Sequence, residues 1–358
     1  AKSGIRCYDV RLINGTTNEY ATKAAINDES KSRLVGIGTE GYGIIVTHYL
    51  DPRAGTFVYA EGLKTGLRLY YMVCESSRTA RSKTTVIANG TGDNSAGVFV
   101  TNNLTVSSGM RLIAYGGKMG VQMDVGRFVN AQYLGELIAI GRDKDGAGIL
   151  RDESNAARGR VRVRRAGKMY ARGDKYGIYE WRSQVVCDAT SSSATYFGTI
   201  MIGIGGVEDD HMTSTIDVIH TSFGFDDLPH PELSEGNNGS QVWNEADIGV
   251  PGLVPFKAGS AVIVTGDRTD VYIRSRYHGQ IFGYGGEYGV VSKGVALEDE
   301  DPTSAGSYIE AIYGGYIEGH GGRVGIEATT TIRARGSTAF SGANIYKAAS
   351  IIKGYGED

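Results

Sequence analysis

The sequence predicts an all-β protein that forms an elongated rod of repeated strands. The main observation is a short unit, a glycine followed by alternating apolar residues, which recurs along most of the 358 residues. Gly43, Gly55 and Gly66, for example, are 12 and 11 residues apart, which leaves room for one strand and one turn. Because one unit of this size cannot bury its own apolar side, the units must stack on one another.

Composition supports the same fold class. The chain contains 53 glycines but only 6 prolines, which fits many sharp corners and argues against a disordered or collagen-like chain. Its 22 tyrosines favour pleated surfaces. Since glycine adopts positive φ without a steric cost, we expect glycines at the corners between strands. The expected corner glycines are Gly43, Gly55, Gly66, Gly97, Gly109, Gly120, Gly289, Gly315 and Gly325.

The density of the unit divides the chain into four segments. Residues 1–34 hold few units, and we interpret them as an N-terminal cap or attachment segment. Residues 35–223 form a first β-helical repeat region, and residues 259–358 form a second. Residues 224–258 contain four of the six prolines and one of the two tryptophans, which predicts an irregular excursion from the rod. Such an excursion is either functional or structural, packing along the rod or forming a domain hinge.

Two rod architectures fit the unit. In a triple-stranded intertwined β-helix, three chains share one core, whereas a single-chain right-handed β-solenoid would show a cycle of two units per turn. The units resemble one another singly, and many carry few apolar residues, as at Val161 and Val163. Such narrow strands bury little area against their ordering entropy. The sequence therefore favours a homotrimer, with the single-chain solenoid as the alternative.

A family resemblance agrees with this fold. The units Tyr42-Gly-Ile-Ile-Val, Tyr176-Gly-Ile-Tyr and Glu287-Tyr-Gly-Val-Val resemble repeats of bacteriophage tail fibres and related trimeric β-helical virion proteins, including tailspikes and capsid decorations. The resemblance implies a homotrimeric rod on a virion. Phage hyaluronidase-type tail proteins are similar in repeat style, but their catalytic residues match no positions of this chain, so the resemblance implies no activity.

The clearest candidate for ligand binding is a run of alternating arginines. Arg160, Arg162 and Arg164 alternate with Val161 and Val163, so a strand would place the arginines on one face and the valines on the other. A linear basic stripe suits a sulfated, phosphorylated or uronic-acid polymer, because guanidinium groups bind such anions through two hydrogen bonds. We weigh this against structural pairing with acids of a neighbouring coil or chain, such as Asp152 and Glu153.

Two further candidates lie in the second half of the chain. Trp243, within the excursion, is a candidate ligand-binding residue. The best metal candidate is a run of carboxylates with an imidazole, since such groups hold hard or borderline cations. It comprises Glu208, Asp209, Asp210 and His211. The structural reading of this run is an acidic turn.

These observations favour a non-enzymatic virion structural protein over an enzyme. We expect a trimeric β-rod that decorates a phage capsid or serves as a fibre, with a role in host attachment. Its expected partners are its own copies, other virion proteins and a host surface glycan, and it would be made in the host cytoplasm and displayed extracellularly. The alternatives are a polysaccharide-degrading tailspike and a monomeric cell-surface adhesin.

The sequence also predicts several absences. No catalytic residue and no cofactor are indicated. The net charge of −3 does not point to a nucleic-acid partner. No apolar run approaches the roughly twenty residues needed to span a bilayer.

Overall fold

In the computed structural model, the described part of the chain consists of parallel β-strands without helices. The structure describes residues 3–12, 32–53, 55–72, 84–124, 128–151, 159–188, 199–206, 260–266, 271–277, 279–294, 307–336 and 349–356. The strands are β1 (Ser3–Leu12), β2 (Arg33–Gly38), β3 (Tyr42–Pro52), β4 (Phe57–Gly62), β5 (Thr65–Met72), β6 (Thr85–Gly90), β7 (Ala96–Val106), β8 (Arg111–Gly116), β9 (Met119–Met123), β10 (Phe128–Gln132), β11 (Glu136–Gly141), β12 (Ala147–Arg151), β13 (Gly159–Arg164), β14 (Lys168–Gly173), β15 (Tyr176–Trp181), β16 (Ser183–Asp188), β17 (Ile200–Gly205), β18 (Ser260–Gly266), β19 (Tyr272–Arg276), β20 (Gln280–Gly285), β21 (Tyr288–Gly294), β22 (Tyr308–Ile312), β23 (Tyr316–Gly321), β24 (Val324–Ala328), β25 (Thr331–Arg335) and β26 (Ile351–Gly356).

The strands stack into three parallel ladders, which we call faces. Face 1 contains β1, β3, β5, β7, β9, β12, β15, β18, β21 and β24. Face 2 contains the C-terminal parts of β1, β3, β5 and β7, followed by β10, β13, β16, β19, β22 and β25. Face 3 is the ten-stranded sheet of β2, β4, β6, β8, β11, β14, β17, β20, β23 and β26. The chain visits faces 1, 2 and 3 in turn, and each circuit is one coil.

This architecture confirms the all-β class and the stacking of strand units. The ladders pair successive coils of the same chain, as the single-chain alternative requires, whereas an intertwined rod would pair strands of different chains. A homotrimer remains a prediction. Each coil holds three strand segments instead of two, and its length varies, from 23 residues between the starts of β3 and β5 to 84 between those of β15 and β18. This variation hides the cycle in the sequence.

The stack continues across the expected excursion. β15 pairs with β18, β16 with β19 and β17 with β20, so the two predicted repeat regions form one continuous set of ladders. The first strand of the predicted N-terminal segment also belongs to the stack, because β1 pairs with β3. Residues 224–258 lie outside the described residues.

Apolar side chains fill the interior of the coils. Alternation places one set of each strand inward, where residues such as Ile44, Leu112, Val161 and Ile273 are fully buried in a single cluster. On face 3, the alternate positions that point inward carry a large apolar residue, then alanine or glycine, then glycine. In β8 these are Leu112, Ala114 and Gly116. Because this pattern repeats in register from coil to coil, residues of similar size stack on one another within the core.

Face 3 is also apolar on its outer side. Its outward residues form a second cluster, in which Ile113, Ile138, Tyr170 and Ile202 are at most 2% exposed. Outward-facing residues of this kind are therefore not free to contact a ligand in the middle of face 3.

The corner glycines require a correction. Gly55 and Gly109 have positive φ, at 70° and 71°, but the other seven predicted glycines do not, and Gly314 takes this conformation instead of Gly315. Six of the seven are the second residue of face 1 strands; these are Gly43, Gly66, Gly97, Gly120, Gly289 and Gly325.

Close approach of two faces explains these six positions. A Cβ added to Gly120 would lie 2.3 Å from the backbone nitrogen of Ile140 on face 3, and one on Gly43 would lie 2.3 Å from that of Glu61. Such distances are far below van der Waals contact. Glycine is therefore required because faces 1 and 3 meet at a tight edge, and positive φ plays no part there.

The corner between faces 2 and 3 uses the left-handed conformation with larger residues. Tyr133 and Leu134 have φ of 49° and 63°, and Arg165 and Ala166 have φ of 54° and 58° in the next coil. This conformation is costly for residues with a Cβ, so the packing of adjacent coils must impose it. Gly55 and Gly109 take this conformation at the same corner of earlier coils, as predicted, whereas in these two later coils the glycine stands one position after the left-handed pair.

Candidate functional site

The structure places the predicted arginines on the outer side of face 2. β13 directs Arg160, Arg162 and Arg164 outward, where each is half-buried, and turns Val161 and Val163 into the core, where both are fully buried. The predicted alternation therefore describes the strand correctly. Whether these arginines bind a ligand depends on what their neighbours in adjacent coils offer them.

Those neighbours are hydrogen-bond acceptors. Arg160 Nε donates to Gln184 Oε1 at 2.8 Å, and Arg164 Nε donates to Gln132 Oε1 at 2.7 Å. Arg162 Nη2 lies 3.4 Å from Asp188 Oδ2. Burial lowers the pKa of Arg162, and the adjacent Arg164 lowers it further. The three arginines are thus held by cross-strand contacts, two with glutamine amides and one with the acid Asp188, whereas Asp152 and Glu153 lie outside the described residues.

The same pairing continues toward the C-terminus of face 2. Arg274 Nε and Arg333 Nε lie 2.8 Å and 2.6 Å from the two carboxylate oxygens of Glu310. Arg276 pairs with Asp188. Both acids are buried, with exposures of 4% for Glu310 and 2% for Asp188. We call Arg160, Arg162, Arg164, Arg274, Arg276 and Arg333 the arginine ladder.

Aromatic rings hold the ladder in place. Tyr272 and Tyr308 stack across adjacent coils with 4.9 Å between ring centroids. The guanidinium of Arg274 lies 4.5 Å from the centre of Tyr272 and 5.4 Å from that of Tyr308. Cation–π contacts of this kind add to the ion pairs. The arginine ladder is therefore a cross-linked surface that stiffens face 2.

A different basic surface lies on the outer side of face 1, in the first coils. It is a groove of about 490 Å³. The charged and aromatic side chains that line it are Arg6, Glu40, Tyr42, Lys64, Arg68 and Tyr70. Among the lining residues that the structure describes, three are cations and one is an acid, so the groove is electropositive although the chain is not.

Two similar strands build this groove. Ile5-Arg6-Cys7-Tyr8 on β1 and Leu67-Arg68-Leu69-Tyr70 on β5 have the same alternation, and they lie on either side of β3. Arg6 and Arg68 are both register partners of Ile45, which forms the floor between them. Sequence reasoning missed the groove, although the repeated apolar-Arg-apolar-Tyr pattern is a signal that could have found it.

An aromatic stack runs along one side of the groove. His48 lies between Tyr8 and Tyr70, with centroid distances of 4.8 Å and 6.5 Å. Its Nδ1 is 2.7 Å from Asp9 Oδ1, which fixes the ring orientation. Tyr70 remains 41% exposed. The stack thus offers a rigid aromatic wall next to the exposed arginines.

Two further charged clusters are more enclosed. On face 3, Glu318 accepts a hydrogen bond from Tyr316 and lies 2.6 Å from His320 Nε2, and His320 stacks between Tyr284 and Tyr355. Glu318 is only 9% exposed, which leaves it little access to a substrate.

Arg151 and Glu180 are register partners on β12 and β15 and are fully buried. Burial raises the pKa of Glu180 to about 7, and the opposing effect of the Arg151 guanidinium is smaller. Both side chains are shielded from solvent, so we assign the pair a structural role.

The other predicted site residues lie outside the described residues. These are Trp243, Glu208, Asp209, Asp210 and His211. Within the described ranges, no group of three or more His, Cys, Asp or Glu side chains is arranged to hold a metal ion. In the same ranges no helix is long and apolar enough to cross a membrane.

Comparisons with protein-family models, with curated proteins and with solved structures find no match to this chain. The functional argument therefore depends on the fold and on the two basic surfaces.

Proposed function

We propose that the chain is a non-enzymatic structural protein of a bacteriophage virion, a β-rod that acts as a capsid decoration or a fibre and takes part in host attachment. The observation that carries this proposal is the continuous stacking of coils through three ladders around a filled core. The inward side chains of the described strands pack into one buried cluster. The outer sides of faces 1 and 2 are the surfaces available for contact.

The proposal includes a homotrimer of complete solenoids. The strands of one chain already satisfy one another within the ladders, so three copies would associate side by side instead of sharing strands. Support for three copies comes from the resemblance to trimeric virion proteins. Light scattering on the purified protein should give three times the chain mass of 38.2 kDa. A particle with the mass of one chain would refute the trimer and leave the monomeric adhesin as the alternative.

The virion location and the lack of activity have their own tests. Labelled antibodies against the chain should decorate intact virions, and their absence from purified particles would contradict the location. Incubation with capsular and uronic-acid polysaccharides should yield neither new reducing ends nor unsaturated products. Accumulation of either product would favour the polysaccharide-degrading tailspike over a structural rod.

A further inference from the structure

We propose that the groove on face 1 binds an acidic oligosaccharide, one whose sugar rings carry carboxylate groups. This inference rests on the proposed role in host attachment and names the ligand class for it. The groove combines the three features that such a ligand requires, namely unpaired positive charge, hydroxyl partners and exposed aromatic rings.

The charge of the groove is available to a ligand. Arg6, Lys64 and Arg68 are exposed, and among the described residues no carboxylate lies within ion-pair distance of any of them. Arg6 and Arg68 are two rungs apart, which corresponds to about 9.6 Å between their backbones. That separation is close to the length of a disaccharide repeat, so each guanidinium can bind one carboxylate through a two-point hydrogen bond.

Hydroxyl groups on the floor suit the neutral part of a sugar. Thr47 Oγ1 donates to the carbonyl of Cys7 at 3.3 Å, and Thr101 Oγ1 donates to that of Leu69 at 3.4 Å. Their oxygen lone pairs therefore remain to accept hydrogen bonds from sugar hydroxyls.

Tyrosines complete the recognition surface. Tyr42 Oη accepts a hydrogen bond from Arg68 at 3.3 Å, which leaves its own proton to donate to a sugar oxygen. Tyr70, 41% exposed, offers an apolar edge to the carbon–hydrogen face of a pyranose. The volume of about 490 Å³ lies within the range of small-ligand sites.

Binding should be measured by titration calorimetry on the full chain with tetragalacturonate as the probe. Maltotetraose serves as the neutral control, and a sulfated oligosaccharide and single-stranded DNA of equal charge test other anions. We expect wild-type protein to bind tetragalacturonate and not maltotetraose. Arg6→Gln and Arg68→Gln should each weaken binding about tenfold, since each removes a charge-assisted hydrogen bond.

The chain offers a matched control for these variants. Lys118 is exposed and lies two coils further along, at the same turn position as Lys64. The backbone N–H groups show this equivalence, since that of Lys64 donates to the carbonyl of Gly41 and that of Lys118 donates to the carbonyl of Ser95. Lys64→Gln should weaken binding severalfold and Lys118→Gln should not. Circular dichroism and the unfolding midpoint of every variant establish that each is folded.

The outcomes separate this inference from the proposed function. Equal affinity for maltotetraose, or unchanged binding in both arginine variants, would overturn the groove as the site. Tighter binding of DNA than of tetragalacturonate would overturn the ligand class. Conversion of tetragalacturonate to shorter products would contradict the non-enzymatic function while leaving the groove as the binding site.

Discussion

The arginine ladder and the groove present the same residue type in opposite circumstances. Both place arginines on the outer side of a strand, several on one strand in the ladder and one on each of two strands in the groove. In the ladder, the adjacent coils supply Gln184, Asp188 and Glu310, which hold the guanidinium groups. In the groove, the adjacent coils supply Ile45 between Arg6 and Arg68 and the rings of Tyr42 and Phe99 beside Arg68, and no carboxylate among the described residues pairs with either arginine. Whether an arginine stiffens the rod or remains free for a ligand is thus decided by the residue one rung away.

The largest expected effect comes from a substitution that lowers the stability of the stack on which both surfaces depend. Gly120→Ala should destabilise the protein by about 3 kcal/mol or more, because its Cβ would overlap the backbone of Ile140 and force the tight edge open. Gly356→Ala is the control, since the nearest atom to its Cβ is 3.4 Å away. Urea unfolding of both variants provides the measurement. Similar midpoints for the two would show that the close approach does not require glycine.

The next change breaks the ladder alone. Asp188→Asn should lower the free energy of unfolding by about 2 kcal/mol, because Arg162 and Arg276 lose the negative charge between them. Arg6→Gln should change stability by less than about 0.5 kcal/mol, as is usual for an exposed side chain. Chemical denaturation tests both values. The comparison of the two surfaces fails if Arg6→Gln costs as much stability as Asp188→Asn.

A third arginine environment gives a pH-dependent effect. Because the pKa of Glu180 is raised from 4.5 to about 7 in the folded protein, the folded state keeps a proton that the unfolded state has released over that range. This contribution to stability is complete below pH 4.5 and is lost as the pH rises through about 7. Thermal unfolding of wild type and Glu180→Gln between these pH values should show a fall that only wild type has. Parallel curves would contradict the assignment.

The smallest expected effect is that of salt concentration, which should weaken interactions of the exposed charges in the groove more than those of the buried charges in the ladder. Raising sodium chloride from about 0.05 M to about 0.5 M should weaken tetragalacturonate binding severalfold, because exposed charges are screened. The unfolding midpoint should change little over the same range, since the acids of the ladder are buried. Calorimetry and thermal unfolding on the same samples measure both. Salt-independent binding would mean that the groove arginines do not carry the affinity.

Local alternation predicted the strands well. The sequence Arg-Val-Arg-Val-Arg is sufficient to place Arg160, Arg162 and Arg164 outward and the two valines inward. Their partners could not be predicted in the same way, because they come from other coils. Gln184 is 24 residues from Arg160, and Asp188 is 88 residues from Arg276. Without knowledge of the coil length, the sequence does not reveal which residues become neighbours.

The glycines illustrate a second limit. They were predicted at the corners for positive φ, but the reason for Gly120 is the backbone of Ile140, a feature of the folded coil and not of the local chain. The corner with positive φ carries the predicted Gly55 and Gly109 in two coils but Tyr133 and Leu134 in another, and no local preference predicts the latter pair. In both cases the packing of one face against another overrides local conformational preference.

Because neighbouring strands are evenly spaced, the length of the stack follows from the number of coils. Face 3 has ten rungs, and with about 4.8 Å between neighbouring strands, first and last lie about 43 Å apart. Duplicating the segment that encodes one coil would lengthen the protein by a single rung and leave its cross-section unchanged. A lineage could therefore adjust the reach of such a protein in small, uniform increments by gene duplication alone.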